Sequence, residues 1–299
     1  MMKVADFETH RRYLTGVAYR MLGTVAEAED VVQDAYLRVR DGAAPDHLRA
    51  YLTRVVTRLC LDVLKSAHRR RMTYVGPWLP EPLHDVADFT GAKTGEADLS
   101  DDLSIGLLYA LERLSPLERA AFLLHDVFGA EFADIAVTLE RSEAACRQLA
   151  ARARKAVRQD REPARFAVSP DDERAFLEAF VAASQSGDVS ALEALLTRDV
   201  SLHSDGGGKA SAAINILEGR ERVLKFLVGI QQKFRRHTVV AIDIVPVNGR
   251  MAVLSRHTDG SVDLMTVERN DDGVTAVYFI RNPDKLARFT GELKPDPEP

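Results

Sequence analysis

The feature that most restricts how this chain can fold is a change in its hydrophobic period. Up to about Phe234 apolar residues recur at the three-and-four spacing of amphipathic helices, and beyond Thr238 they occur in short β-rich runs. Those runs, 238–247, 251–256, 262–269 and 274–280, are separated by Asn248-Gly249, Asp259-Gly260 and Asp272-Gly273. Asn-Gly and Asp-Gly are the dipeptides that tight hairpins demand, because both central residues of such a turn need positive φ. The period therefore predicts an all-α first half followed by an α+β domain.

Within the first half, Leu48 to Arg71 has an apolar floor of Leu52, Val55, Val56, Leu59, Val63 and Leu64, with Arg54, Arg58, Lys65, Arg69, Arg70 and Arg71 on its other side. Cations on one helix face suit phosphate neutralisation, although a solvated basic face would look the same. Ser115-Pro116-Leu117-Glu118 combines a hydroxyl cap, Pro at the first helical position and Glu three after the cap, so a helix should start there and stop at Gly129. A short helix containing Phe132, Ile135, Ala136 and Leu139 follows, then a turn at 140–142. A further helix opens on Ser142, with Cys146, Leu149, Ala150, Ala153 and Val157 inward and Arg147, Gln148, Arg152, Lys155 and Arg158 outward. That order is the helix-turn-helix pattern. Arg and Gln can address base edges, whereas Lys suits phosphates.

From Arg141 to Arg161 seven cations face two anions, although the whole chain carries a formal charge of −5. Local charge, not the total, decides such contacts. The helix expected at Thr24 to Arg40 is opposite in character. Thr24 and Glu27 suggest a capping box, Val31, Val32, Ala35 and Val39 a buried stripe, and Glu27, Glu29, Asp30 and Asp34 an acidic face that suits solvent or a basic protein partner.

Glu29-Asp30-Val31-Val32-Gln33-Asp34-Ala35-Tyr36-Leu37, followed by Arg49-Ala50-Tyr51-Leu52 and Leu59-Cys60-Leu61-Asp62, resembles region 2 of the extracytoplasmic-function sigma factors. Leu114-Ser115-Pro116-Leu117-Glu118-Arg119 with Arg152-Ala153-Arg154-Lys155-Ala156 resembles their region 4. The resemblance implies that Asp30, Gln33 and Asp34 meet the clamp helices of the polymerase β′ subunit. It implies that Arg54, Arg58, Lys65, Arg69, Arg70 and Arg71 serve the minus-ten element. Ser142, Arg147, Gln148, Arg152, Arg154 and Lys155 would serve the minus-thirty-five element, with Arg147 and Gln148 as base readers, and region 4 would meet the β flap.

Between these blocks, 74–102 reads as an acidic linker in which Lys93 alone opposes Glu81, Asp85, Asp88, Glu96, Asp98, Asp101 and Asp102. Its acids could mimic nucleic acid in the main polymerase channel or lie against a basic surface of the same protein. It also holds the one Trp of the chain, in Trp78-Leu79-Pro80-Glu81-Pro82. A linker that needs only reach and solubility has no use for Trp, so Trp78 and Leu79 are expected to anchor in a pocket on another domain.

Three helices, around Phe176 to Val181, Leu192 to Leu196 and Val223 to Ile230, feeding a curved antiparallel sheet resemble the SnoaL-like branch of the NTF2-like cone fold. Relatives of that fold include isomerases and cyclases, so His203, Asp205, His237 and His257 are candidates for acid-base work and the cone for a small-molecule ligand. Asp205-Gly206-Gly207-Gly208-Lys209 lets backbone approach closely but is no phosphate loop.

The linker motif, this glycine loop and Asn282-Pro283-Asp284-Lys285 are together similar to a group of sigma factors with a SnoaL-like extension. Membership there implies regulation in cis with no separate anti-sigma factor required. The expected division is region 2 at 1–73, linker at 74–102, region 4 at 103–163, extension at 169–290 and tail at 291–299. No cofactor, metal spacing, signal segment or spanning apolar run is read, and a cytoplasmic, non-catalytic protein is expected. Two other functions fit parts of the pattern: a ligand-responsive one-component DNA-binding regulator, and a SnoaL-type isomerase or cyclase with a DNA-binding appendage. The acidic 29–37 helix argues against the former. The latter needs an inward His within reach of a carboxylate.

Overall fold

The structure, a computed structural model, describes residues 4–42, 45–71, 74–84, 86, 89, 103–160, 169–234 and 239–290. His237, the linker acids Asp85, Asp88, Glu96, Asp98, Asp101 and Asp102, and the tail lie outside the described residues. The chain divides into two compact units. The first comprises Met1–Thr73 and Asp85–Arg161; the second comprises Tyr74–His84 and Glu162–Pro299. The segments read as regions 2 and 4 thus share the first unit, and the Trp-bearing piece of the expected linker folds with the second.

The first unit is helical. Helix α1 (Val4–Leu22) ends at Gly23, φ 76°, and α2 (Val25–Val39) starts at once from Thr24. The expected capping box is not made: Thr24 Oγ1 donates to Glu27 Oε2 at 2.9 Å and makes no cap hydrogen bond to the backbone. Val25, Ala28, Val31, Val32, Ala35 and Val39 are buried at helical spacing. Helix α3 (Leu48–Arg71) lies on α1 and α2, with Leu52, Val56, Leu59, Cys60 and Leu64 in the core.

After α4 (Ile105–Glu112), the Ser115–Glu118 box opens α5 (Pro116–Phe122) as its residues dictate. The helix runs into a π-helical turn at Leu123–Val127 and stops at Gly129, φ 67°. Helices α6 (Phe132–Leu139) and α7 (Glu143–Asp160) complete the helix-turn-helix, joined through Glu140 in the left-handed region at φ 54°. Ser142 Oγ accepts the Ala145 N–H at 3.2 Å, so α7 opens where expected.

One part of the linker is not as acidic composition suggests. Phe89 is buried, 5.2 Å from the Tyr19 ring, and its carbonyl accepts Arg20 Nη1 at 3.2 Å. Gly16 allows this approach, because a Cβ there would stand 2.2 Å from that carbonyl oxygen.

In the second unit α8 (Pro170–Ser186), α9 (Val189–Leu195) and α10 (Arg220–Phe234) pack against β1 (Leu196–Asp205), β2 (Leu217–Glu218), β3 (Val239–Val247), β4 (Arg250–His257), β5 (Val262–Asn270) and β6 (Gly273–Ile280). Helix α11 (Pro283–Leu286) and a 3-10 turn at Ala287–Phe289 close the described chain. The sheet order is β2-β1-β6-β5-β4-β3, and β1 runs parallel to β6. The expected antiparallel sheet is thus a mixed one, and β1 is a strand that the periodicity did not reveal. Its pairing shifts register between Leu196 and Ser201, so Arg198 and Asp199 interrupt the alternation that would have marked it.

Leu177, Phe180, Leu192, Val200, Leu202, Val223, Leu227, Val253, Met265, Val267 and Val277 form the core of this unit. Phe180 is 1% exposed. Phe180→Ala should destabilise the second unit by about 3–5 kcal/mol, read as a lower denaturant midpoint for its transition.

Candidate promoter-binding surfaces and linker clasp

The polymerase-facing candidates lie on one stripe. Asp30, Gln33 and Asp34 are exposed on α2, and Leu37, one turn further, is exposed to 46%. An apolar side chain open to solvent within an acidic stripe was not foreseen, although the i, i+3, i+4, i+7 spacing could have shown it.

The basic roof of α3 is less open than its sequence suggests, because α5 and α6 pack against that helix. Arg58 Nη2 donates to the Val137 carbonyl at 2.9 Å and pairs with Glu140 Oε1 at 3.0 Å, and its Nε donates to the Thr138 carbonyl at 3.1 Å. A cation there meets the orphan carbonyls and negative dipole end of α6. Arg54 is half-buried, and among the described residues its Nε has no hydrogen-bond partner; neither has the fully buried Thr57 Oγ1. Lys65 is exposed beside Asp62 at 2.9 Å, and the side chains of Arg69, Arg70 and Arg71 lie outside the described ones.

Arg119 crosses from region 4 to region 2. Its Nη1 donates to the Met21 carbonyl and to Glu112 Oε1, both at 2.6 Å. Complete burial lowers its pKa to about 9, which leaves it cationic at neutral pH.

On α7 the outward set is as expected: Arg147, Gln148, Arg152, Lys155 and Arg158 are exposed, as is Ser142 in the turn. Arg147 pairs with Glu143 at 2.7 Å and lies 5.2 Å from the Phe132 ring centroid, and Arg152 meets Glu118 at 3.2 Å. Arg154 is less open than the others of this set. It is held by Asp126 at 2.5 Å, because it sits one position beyond the inward Ala153 and turns back toward the end of α5.

The linker motif, the glycine loop and the Asn-Pro-Asp-Lys turn meet within the second unit around Asp205, which is fully buried. Its Oδ1 accepts the Tyr74 hydroxyl at 2.6 Å and the Gly207 N–H at 3.0 Å. Its Oδ2 accepts the Leu79 N–H at 2.9 Å and Lys285 Nζ at 2.6 Å. Lys285 also donates to the Leu79 carbonyl and stands 4.1 Å from the Trp78 ring and 5.2 Å from the Tyr74 ring.

Asn282 Nδ2 donates to the Tyr74 oxygen at 2.9 Å, which completes the ring of partners. A Cβ on Gly207, at φ 59°, would stand 2.3 Å from that amide nitrogen, so only glycine fits. Lys209 pairs with Asp284 at the rim at 2.6 Å. Leu79 is fully buried, with Pro80 and Pro82 buried beyond it, whereas Trp78 is half-buried and Glu81 intermediate. Leu83 and Asn248 then exchange two hydrogen bonds, at 2.8 and 2.9 Å. Leu79, more than Trp78, is thus the inserted side chain, and Tyr74 is a clasp residue that sequence inspection missed.

The chain matches the family models described as Sigma-70 region 2 over residues 7–70, Sigma-70 region 4 over 105–157 and SnoaL-like domain over 177–286. It is 40% identical over 303 residues, 97% of this chain and 94% of its relative, to the ECF RNA polymerase sigma factor SigJ of Mycobacterium tuberculosis. The chain belongs to the extracytoplasmic-function sigma factors.

The crystal structure of that SigJ superposes with a TM-score of 0.75 at 34% identity, covering 98% of this chain and 100% of the other. Helical regions 2 and 4 followed by a SnoaL-like α+β extension are therefore the architecture of this sigma factor. Its role is promoter-directed initiation by RNA polymerase. Among the described residues no helix is long and apolar enough to cross a membrane.

Removing a buried carboxylate strands its donors, so Asp205→Ala should cost about 3–5 kcal/mol and expose Trp78, read as a red-shifted emission and easier quenching by iodide. Burial, then the bond to Asp205, raises the Tyr74 pKa. A phenol raised on folding stabilises the clasp while it stays protonated. Trp78 emission should therefore hold through neutral pH and change as pH rises above about 10, with a smaller step in Tyr74→Phe.

Proposed function

We propose that the exposed α2 stripe of this sigma factor, Asp30, Gln33 and Asp34, docks on the β′ clamp helices of core polymerase in the cytoplasm. On this reading region 4 meets the β flap, α3 holds the minus-ten strand, and α7 reads the minus-thirty-five element. Arg147 and Gln148 address bases, with Arg152 and Lys155 on phosphates. The protein acts without catalysis, and its extension regulates it in cis in place of a separate anti-sigma factor.

One observation carries the regulatory part: residues 74–84, which join region 2 to region 4 in the chain, are bound to the extension through Asp205. A carboxylate that holds the connector limits the arrangements open to the two regions on either side of it. The packing of α3 on α5 and α6 supports a resting state, since Arg58 is already committed to the end of α6 and Arg54 Nε and Thr57 Oγ1 lack partners among the described residues. Promoter binding then requires regions 2 and 4 to separate, which returns those groups to water and phosphate. The two states differ in defined contacts, as a switch requires.

The decisive experiment is reconstituted transcription with bacterial core polymerase on promoter DNA selected by the protein, comparing the full chain, a version ending at Arg165 and Asp205→Asn. Promoter-specific initiation altered by both changes is expected. DNA binding without initiation would favour a one-component regulator, and output indifferent to both changes would refute regulation in cis. In the same assay Arg147→Ala should relax sequence preference, whereas Lys155→Ala should weaken all promoters alike and reduce the salt slope by about 1.

A further inference from the structure

The end of α5 is wound as a π-helical turn over Leu123–Val127, in which the Phe128 N–H reaches the Leu123 carbonyl at 2.9 Å. Such turns are rare and occur frequently at functional sites. His125 lies at the centre of this one. Gly129, in the left-handed region at φ 67°, reverses the chain, and His125 Nδ1 then stands 3.0 Å from the Ala130 carbonyl. A carbonyl can only accept, so the proton sits on Nδ1. The imidazole stacks on the ring of Phe132, the first residue of α6, with centroids 4.0 Å and planes 30° apart.

Phe132 is half-buried, and the Arg147 guanidinium of α7 stands over its ring at 5.2 Å. Arg147 is exposed, and its Nη2 donates to Glu143 Oε2 at 2.7 Å, one helical turn earlier. Two constraints therefore act on one guanidinium. The ring face attracts it as a cation and limits its tilt, and the carboxylate limits its rotation. The bond to Glu143 takes one N–H of the fork and leaves others for a base edge.

Orientation matters more to a base than to a phosphate. A phosphate attracts a cation from many directions, whereas a base edge is met by paired donors lying in the plane of the base. A long side chain that is free in solution loses rotamer freedom when it binds, and one already held loses less. Holding Arg147 in place thus acts on the sequence-dependent part of binding. Glu143 works in the same direction, because a carboxylate beside the guanidinium weakens its pull on a phosphate and leaves its remaining donors intact.

We propose that Phe132, backed by His125, and Glu143 form a frame that orients Arg147 toward one base pair of the minus-thirty-five element. Phe132 is thereby a specificity-determining positioning residue, acting through Arg147. The inference deepens the reading of α7 as the base-reading helix and rests on it. His125, Phe132 and Arg147 come from the π turn, α6 and α7, so the conformation of the turn and the promoter preference are set together. Plain core packing by Phe132 has a different signature: a packing defect weakens binding to every sequence alike.

The test uses the full chain with bacterial core polymerase and reads initiation on a promoter whose minus-thirty-five base pairs are exchanged one at a time. Arg147→Ala should flatten the preference at one position. Phe132→Leu, which keeps apolar volume and removes the π face, should cut the preference at that same position about threefold and leave the others unchanged. It should add no further loss to Arg147→Ala. Phe132→Tyr, which restores the ring, should restore the preference. Glu143→Ala, exposed and outside the core, should weaken the same position and keeps the test decisive if Phe132→Leu fails to fold. An unchanged profile in Arg147→Ala would overturn the base-reader reading and this inference with it. Full preference retained in Phe132→Leu or Glu143→Ala at the position that Arg147→Ala flattens would overturn this inference alone. Equal loss at every position in Phe132→Leu, or no rescue by Phe132→Tyr, would do the same.

Discussion

The second unit depends on one buried charge. Asp205 has no exposure to water, and a carboxylate in that position is tolerable only if its lone pairs are filled. Four donors fill them, and they come from chain segments far apart in sequence: Tyr74 and Leu79 from the connector, Gly207 from the glycine loop and Lys285 from the last helix. The electrostatic requirement of a single side chain thus explains three motifs at once. It explains why the loop is glycine-rich, since a Cβ at Gly207 would collide with Asn282, and why the lysine sits over Trp78 instead of reaching solvent. A hydrophobic plug could hold a connector equally well. It could not be so specific about the backbone, because two of the clasp's bonds go to the N–H and C=O of Leu79 itself.

The first unit illustrates a different economy. A guanidinium fork that suits a phosphate also suits a carbonyl pair and a carboxylate, and Arg58 finds all of the latter at the end of α6. The residue type that qualifies α3 for DNA is therefore also the one that ties it to region 4 in the absence of DNA. Such exposed pairs contribute little and are screened by salt, whereas Arg119, wholly enclosed and bonded to Met21 and Glu112, resists separation more strongly. The weak contact lies on the α3 face proposed to meet nucleic acid.

How much of this was legible follows from where each signal lies along the chain. Helices α2, α3, α5, α6 and α7 and the β3 to β6 hairpins were readable, because their period is local, whereas α1 and α4 were not read. Strand β1 was not, since Leu195 and Leu196 continue a helical stripe and the bulge at 198–199 hides the alternation that follows. Phe89 was lost in an acidic context, although it is buried against Tyr19. The clasp motifs were visible as motifs, but Tyr74 was not, because nothing in its neighbours marks a phenol that will meet a carboxylate 131 positions away. Charge on α3 was readable; the occupation of Arg58 by α6 was not, being a property of tertiary packing.

Missing β1 had a further effect. His203 and Asp205 were grouped with His257 as one set of acid-base candidates, and only the strand register separates them. Asp205 faces the connector and His203 stacks on Tyr278 at 5.1 Å on that same side, whereas His257 turns inward to Asp263. The acid-base residues are therefore divided between two faces of one sheet a single backbone thick. A His beside a carboxylate is the arrangement that the isomerase reading required, but the sigma factor also holds that carboxylate in an ion pair with Arg281. The inward pair and the clasp thus lie on opposite faces of the same strands.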